Sequence, residues 1–107
     1  VRLQKEKAPG KHIIFELQGV QSQTTVIDAE IVKSLIVGRA DICDIYMDDA
    51  SMSKQHFVIY DKKDGFYIED LQSTNGTLVN GKKIHTQSRL QKGDRIQAGE
   101  VQMTVRW

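Results

Sequence analysis

Apolar residues along this chain gather in short runs, several alternating with polar ones, and clusters of Gly, Asn and Asp cut the runs apart. Alternation of period two bounded by such turn residues predicts half-buried strands. The predicted strands are His12–Leu17, Thr24–Asp28, Leu35–Val37, His56–Tyr60, Phe66–Asp70, Thr77–Val79, Arg95–Ala98 and Val101–Arg106. Asp61-Lys62-Lys63-Asp64-Gly65 and Asn80-Gly81 read as tight reversals, the second being a dipeptide suited to the left-handed positions of a two-residue hairpin. Only Ala29–Val37 offers a rival to strand, because Ile31 and Leu35, then Val32 and Ile36, stand four apart as on a helix face. Gly38 and the β-branched content favour strand there too. Short strands at even spacing predict an all-β sandwich or barrel.

Composition agrees. Val and Ile together number 20, against 11 for Leu and Ala, a tilt toward side chains that suit a pleated surface. The 107 residues suffice for one domain. Val1–Gly10 is charged, lacks a period and ends in Pro9-Gly10, so it reads as a tail or linker, leaving 11–107 as the folded unit. A net charge of +1 gives no general attraction to a polyanion, which argues against nucleic acid as the partner. No apolar run approaches the roughly 20 residues of a membrane helix, so no membrane insertion by this segment is expected. A single cysteine, Cys43, forms neither an internal disulfide nor a paired metal site and reads as a small half-buried side chain. It fits a reducing, cytoplasmic setting. The chain begins at Val1, and it is read as a segment of a longer protein.

Candidate chemistry lies in three connections rich in Gly and short polar side chains: 38–44, 48–53 and 71–76. Loops carried by a rigid sheet scaffold are where function concentrates. These loops and their flanks bring Arg39, then Ser53-Lys54-Gln55-His56, then Ser73-Thr74-Asn75-Gly76-Thr77. Together they offer a guanidinium, an ammonium, several hydroxyls and an amide, with no catalytic carboxylate. That inventory of donors suits a doubly charged tetrahedral oxyanion such as phosphate.

The ordered set of these fragments resembles the forkhead-associated (FHA) domain. It comprises Leu35-Ile36-Val37-Gly38-Arg39, Asp44-Ile45 with Asp48, Ser53-x-x-His56, Asp70-Leu71-x-Ser73-Thr74-Asn75-Gly76-Thr77, Val79-Asn80-Gly81 and Gly93-Asp94 before a closing apolar strand. Each fragment alone is common, and the specificity lies in their order and spacing from about residue 12 onward. The resemblance implies an antiparallel β-sandwich of about eleven short strands whose loops at one end bind phosphothreonine peptides. It implies Arg39 and Ser53 as the main phosphate ligands, Thr74 beside them, Asn75 on the peptide main chain and Lys54 as a lesser contact. Lys54 stands where the family often has Arg or Asn, and an ammonium lacks the planar fork of a guanidinium. His56 resembles the family histidine that ties loops together, while Gly38 and Gly76 look like backbone requirements. Phe57 departs from the small residue common after that histidine.

Other patterns in the chain carry less. Gly76-x-x-x-x-Gly81-Lys82-Lys83 follows a nucleotide-binding loop up to its lysine, but Lys83 stands where Ser or Thr must hold magnesium, and a hairpin signal replaces the helix. His12, His56 and His85 lack metal-ligand spacing, and Ser53 near His56 lacks a third member for nucleophilic catalysis. No metal, no cofactor and no enzyme activity are therefore expected. Asn80 reads as a turn residue, and Lys62-Lys63 and Lys82-Lys83 as solvated faces, the latter near loops that the family uses to sense residues after the phosphothreonine. The remaining alternative is a sandwich that meets a folded partner or a second copy without phosphate.

Overall fold

The computed structural model describes residues 10–19 and 23–107. Of the tail expected over 1–10, only Gly10 falls within them. Eleven strands follow in order: β1 Lys11–Gln18, β2 Thr24–Ile31, β3 Ser34–Gly38, β4 Ile45–Tyr46, β5 Phe57–Lys62, β6 Gly65–Asp70, β7 Thr77–Val79, β8 Lys82–Lys83, β9 Ser88–Arg89, β10 Arg95–Ala98 and β11 Val101–Arg106. Each of the eight predicted runs lies in a strand, within about three residues at either end, and His56 alone falls just before its strand. The three additional strands have two residues each, too short for alternation to reveal.

The strands form two sheets, ordered β2-β1-β11-β10-β7-β8 and β4-β3-β5-β6-β9. Neighbours are antiparallel except β3 and β4, which pair in parallel through Val37 with Ile45 and Gly38 with Tyr46. The stretch with helix-like spacing is divided instead: β2 ends at Ile31, Val32 and Lys33 turn, and β3 begins at Ser34. Ile31 and Leu35 both enter the core, whereas Val32 is 63% exposed. A helix would have buried both pairs on one face, and two strands need only the first.

Alternation along the strands points Ile13, Phe15, Val37, Phe57, Ile59, Ile68, Ile96, Met103 and Val105 between the sheets, where each is essentially fully buried. Phe57, the departure from the family pattern, belongs to this core and meets the His56 ring edge-on at 6.4 Å between centroids. Burying an aromatic of this size contributes about 1.5–3 kcal/mol, which anchors the floor beneath the loops. Lys62 opposite Gly65 closes one predicted reversal around Lys63-Asp64, and Val79 opposite Lys82 closes the other around Asn80-Gly81.

Candidate functional site

The loop after β3 and the loop before β5 run side by side as an extension of the ladder that pairs Val37 with Phe57. His56 N–H donates to the Val37 carbonyl at 2.9 Å, Arg39 N–H to Ser53 at 3.0 Å and Ala40 N–H to Lys54 at 3.0 Å. The approach is so close that a Cβ on Gly38 would stand 2.3 Å from the Lys54 carbonyl oxygen. Only glycine fits, so the backbone role expected of Gly38 is a steric one. Arg39 emerges from this ladder with its Nε–H donating to the Met52 carbonyl at 2.9 Å. A guanidinium has five N–H groups. The remaining four make no hydrogen bond among the described residues.

The third loop is latched to the second. Ser53 Oγ accepts the Thr74 N–H at 2.9 Å, which leaves its own proton to donate. His56, fully buried, accepts the Ser53 N–H on Nδ1 at 3.0 Å and bonds the Gly76 carbonyl through Nε2 at 2.8 Å. A backbone donor on Nδ1 and a carbonyl on Nε2 fix the neutral imidazole with its proton on Nε2. Asn75 reaches back through Nδ2 to the Ser51 carbonyl at 2.8 Å.

Beneath Thr74 and Asn75 the Asp70 carboxylate organises the turn. It accepts the Ser73 N–H at 3.0 Å, the Ser73 hydroxyl at 2.5 Å and the Thr77 hydroxyl at 2.7 Å, while Ser73 Oγ accepts the Gly76 N–H at 2.9 Å. Burial works to raise the Asp70 pKa, but the hydrogen bonds from Ser73 and Thr77 together outweigh it and hold the carboxyl below its ordinary value. Asp49 does the same for the second loop: the Ser51 hydroxyl at 2.6 Å and N–H at 2.9 Å both donate to Oδ1 and lower its pKa. Ser51 Oγ in turn accepts the Glu100 N–H at 2.8 Å, tying the loop to the β10–β11 turn.

The result is an open cleft of about 460 Å³ lined by Arg39, 50–55, Thr74 and Asn75. None of its lining residues is acidic. All five residues expected as ligands, Arg39, Ser53, Lys54, Thr74 and Asn75, meet there, and the three expected as supports, Gly38, His56 and Gly76, lie behind it. Lys54 points an exposed side chain to the rim, while its carbonyl accepts Ala40 N–H and, at 3.1 Å, the Cys43 thiol.

Sequence reasoning missed the organisers of the cleft. Asp70 and Ser73 entered only as parts of a pattern, and Asp49 had no role. An Asp with Ser two or three residues on is a readable turn signal, and both Asp49-x-Ser51 and Asp70-x-x-Ser73 carry it. The Met52 and Ser51 carbonyls gave no signal, since any residue supplies one.

The FHA domain family model matches residues 35–99, more than half of the chain. Transcriptional regulatory protein EmbR of Mycobacterium tuberculosis is 35% identical over 68 residues, covering 64% of this chain and 18% of EmbR. The chain thus spans under a fifth of that relative's length. The crystal structure of the FHA domain of CT664 from Chlamydia trachomatis superposes with a TM-score of 0.80 at 28% identity, covering 91% of this chain and 98% of that one. A structure from a study of phosphothreonine-dependent FHA domain interactions superposes at 0.74 with 27% identity, covering 91% and 97%. The motif order, the eleven-strand sandwich and these matches agree that the chain belongs to the FHA domain family.

Proposed function

We propose that this chain binds phosphothreonine-containing segments of partner proteins, as one module of a larger signalling protein. The observation that carries this reading is the convergence of Arg39, Ser53, Thr74 and Asn75, from three loops, on one cleft without a carboxylate. Phosphothreonine brings a charge of about −1.5 to −2 and three acceptor oxygens. Arg39 offers a planar pair of terminal nitrogens, Ser53 a hydroxyl proton, and Lys54 an ammonium at the rim. Each charge-assisted hydrogen bond contributes roughly 1.5–3 kcal/mol, so three give about 5–9 in gross terms. Association itself costs about 4 kcal/mol or more. Phosphate alone therefore binds weakly, and contacts to the peptide main chain, through the amide of Asn75, lift affinity toward the micromolar range of about 8 kcal/mol.

The hydrogen bonds already made support binding without catalysis. His56 has both ring nitrogens committed to the Ser53 N–H and the Gly76 carbonyl, so it is not placed to act as a base toward the Ser53 hydroxyl. We propose 11–107 as the binding unit, since β1 pairs with β11 and draws both ends of that span into one sheet. Among the described residues no helix is long and apolar enough to cross a membrane. Protein phosphorylation on threonine uses cellular ATP, which supports a cytoplasmic site of action.

Calorimetry with one peptide in three forms tests the reading. The phosphothreonine form should bind with micromolar affinity, and the glutamate form at least tenfold more weakly, having one charge and two oxygens. The unmodified form should show no measurable heat. Equal binding of all three would establish the phosphate-independent alternative instead.

A further inference from the structure

The two sheets close on each other unevenly along β2. Its inward positions are the odd-numbered ones, opposite Ile13, Phe15 and Leu17 of β1. Their burial declines steadily, from Ile31 at 0% exposure through half-buried Ala29 and Ile27 to exposed Thr25. The edge facing them in the other sheet is β4, with two residues against eight in β2. Beyond β4 the seam widens, among the described residues, into a groove of about 620 Å³ between β2 and the 46–49 segment. Its apolar lining includes Ile27, Met47 and Val101, and Tyr46, 53% exposed, stands beside it. Asp48 and Glu100 lie along the same groove, and neither makes an ion pair among the described residues.

We propose that this seam is a second docking site, which takes an extended partner segment with one aliphatic side chain set between lysines or arginines. Three observations select that occupant. The apolar lining of Ile27, Met47 and Val101 suits an aliphatic side chain, at about 25 cal/mol for each Å² buried. Uncompensated carboxylates in a chain of net charge +1 attract cationic flanks. The outer edge of β2, which among the described residues pairs with β1 alone, offers its main-chain N–H and C=O groups to an extended backbone. A second copy fits badly, because its own β2 would bring Asp28 and Glu30 toward carboxylates already present. The phosphorylated residue belongs elsewhere for the same reason. The 48–53 loop divides the two sites: Asp48 and Asp49 face the groove, and Ala50–Ser53 line the carboxylate-free cleft.

The probe is an acetylated, amidated Lys-Lys-Leu-Lys-Lys peptide, titrated at low salt into the isotope-labelled 107-residue protein, with amide and methyl resonances followed by NMR. Saturable shifts should centre on the amides of Thr25–Asp28 and the methyls of Ile27, Met47 and Val101. Charge reversal by Asp48→Lys with Glu100→Lys should weaken binding about tenfold, and the neutral pair Asp48→Asn with Glu100→Gln about threefold. Both positions are exposed, and unchanged unfolding midpoints would verify that the variants fold. Replacing Leu by Ser in the peptide should weaken binding severalfold, while Arg39→Ala should leave it unchanged. The proposal is overturned if the Ser peptide binds as well as the Leu peptide, if the shifts scatter over all acidic surfaces, or if the charge-reversed protein binds like the parent.

Discussion

Asn75-Gly76 and Asn80-Gly81 present the same dipeptide five residues apart, and their glycines have nearly the same left-handed φ, +83° and +85°. Their surroundings differ. Asn80 is itself left-handed at +53°, so both central residues of its turn have positive φ, and Val79 pairs with Lys82 across a two-residue hairpin. Its side chain accepts the Arg95 N–H and donates to Asp94, each at 2.9 Å, bracing the adjoining strand. A Cβ on Gly81 would meet nothing within 4 Å. Asn75 instead spends its side chain on the Ser51 carbonyl, 24 residues away, at the wall of the cleft. Gly76 is buried, and a Cβ there would stand 3.0 Å from Lys83 Cε. One Asn-Gly step reverses the chain, and the other ties two loops together at the wall of the cleft.

Four measurements test that contrast. Arg39, across the cleft from Asn75, should matter most for affinity: Arg39→Ala removes about two charge-assisted hydrogen bonds, a loss of about a hundredfold or more in phosphopeptide binding by calorimetry, with cooperative melting retained. Asn75→Ala should cost about tenfold in affinity, one or two neutral hydrogen bonds, and little in melting temperature. The mirror experiment, Asn80→Ala, should lower unfolding free energy by about 1–2 kcal/mol in urea and leave affinity within about twofold. If Asn80→Ala damaged binding as much as Asn75→Ala, the two steps would not have separate roles. Gly81→Ala should cost about 1 kcal/mol, the strain of an L residue in the left-handed region, again without effect on the ligand.

The smallest effect concerns acid. Asp70 and Asp49 titrate below their ordinary value in the folded state, so their carboxylates stabilise the loops at every pH above the unfolded-state pKa. That contribution is lost as pH falls through the lower, folded-state value. Urea unfolding should be insensitive to these groups between pH 5 and pH 7, about one unit or more above an ordinary carboxyl, and should weaken only below pH 4. Asp70→Asn should flatten that acid limb, and an unchanged limb would show that Asp70 does not couple folding to protons.

Most of the fold was legible because alternation and turn chemistry are local signals. Eight strands announced themselves through side chains pointing alternately into one core. Ile45–Tyr46, Lys82–Lys83 and Ser88–Arg89 did not, since strands of two residues exist only by virtue of a neighbour's register. The candidate ligands were legible for a different reason: Arg39, Ser53 and Asn75 carry the donors themselves. The frame that sets them, Met52 and Ser51 carbonyls and the Asp70 carboxylate, depends on backbone groups and contacts whose partners only folding selects. Asn75 was set apart from Asn80 in advance only by the family resemblance, which implies a place for Asn75 on the peptide main chain, while Asn80-Gly81 read as a hairpin turn.

The most direct test is an amide-shift map of the protein titrated with a phosphothreonine peptide and, separately, with its unmodified form. Large, saturable shifts confined to Arg39, Ser53-Lys54 and Thr74-Asn75 are expected with the first peptide and none with the second. Shifts centred away from those loops, or the same map from both peptides, would contradict it.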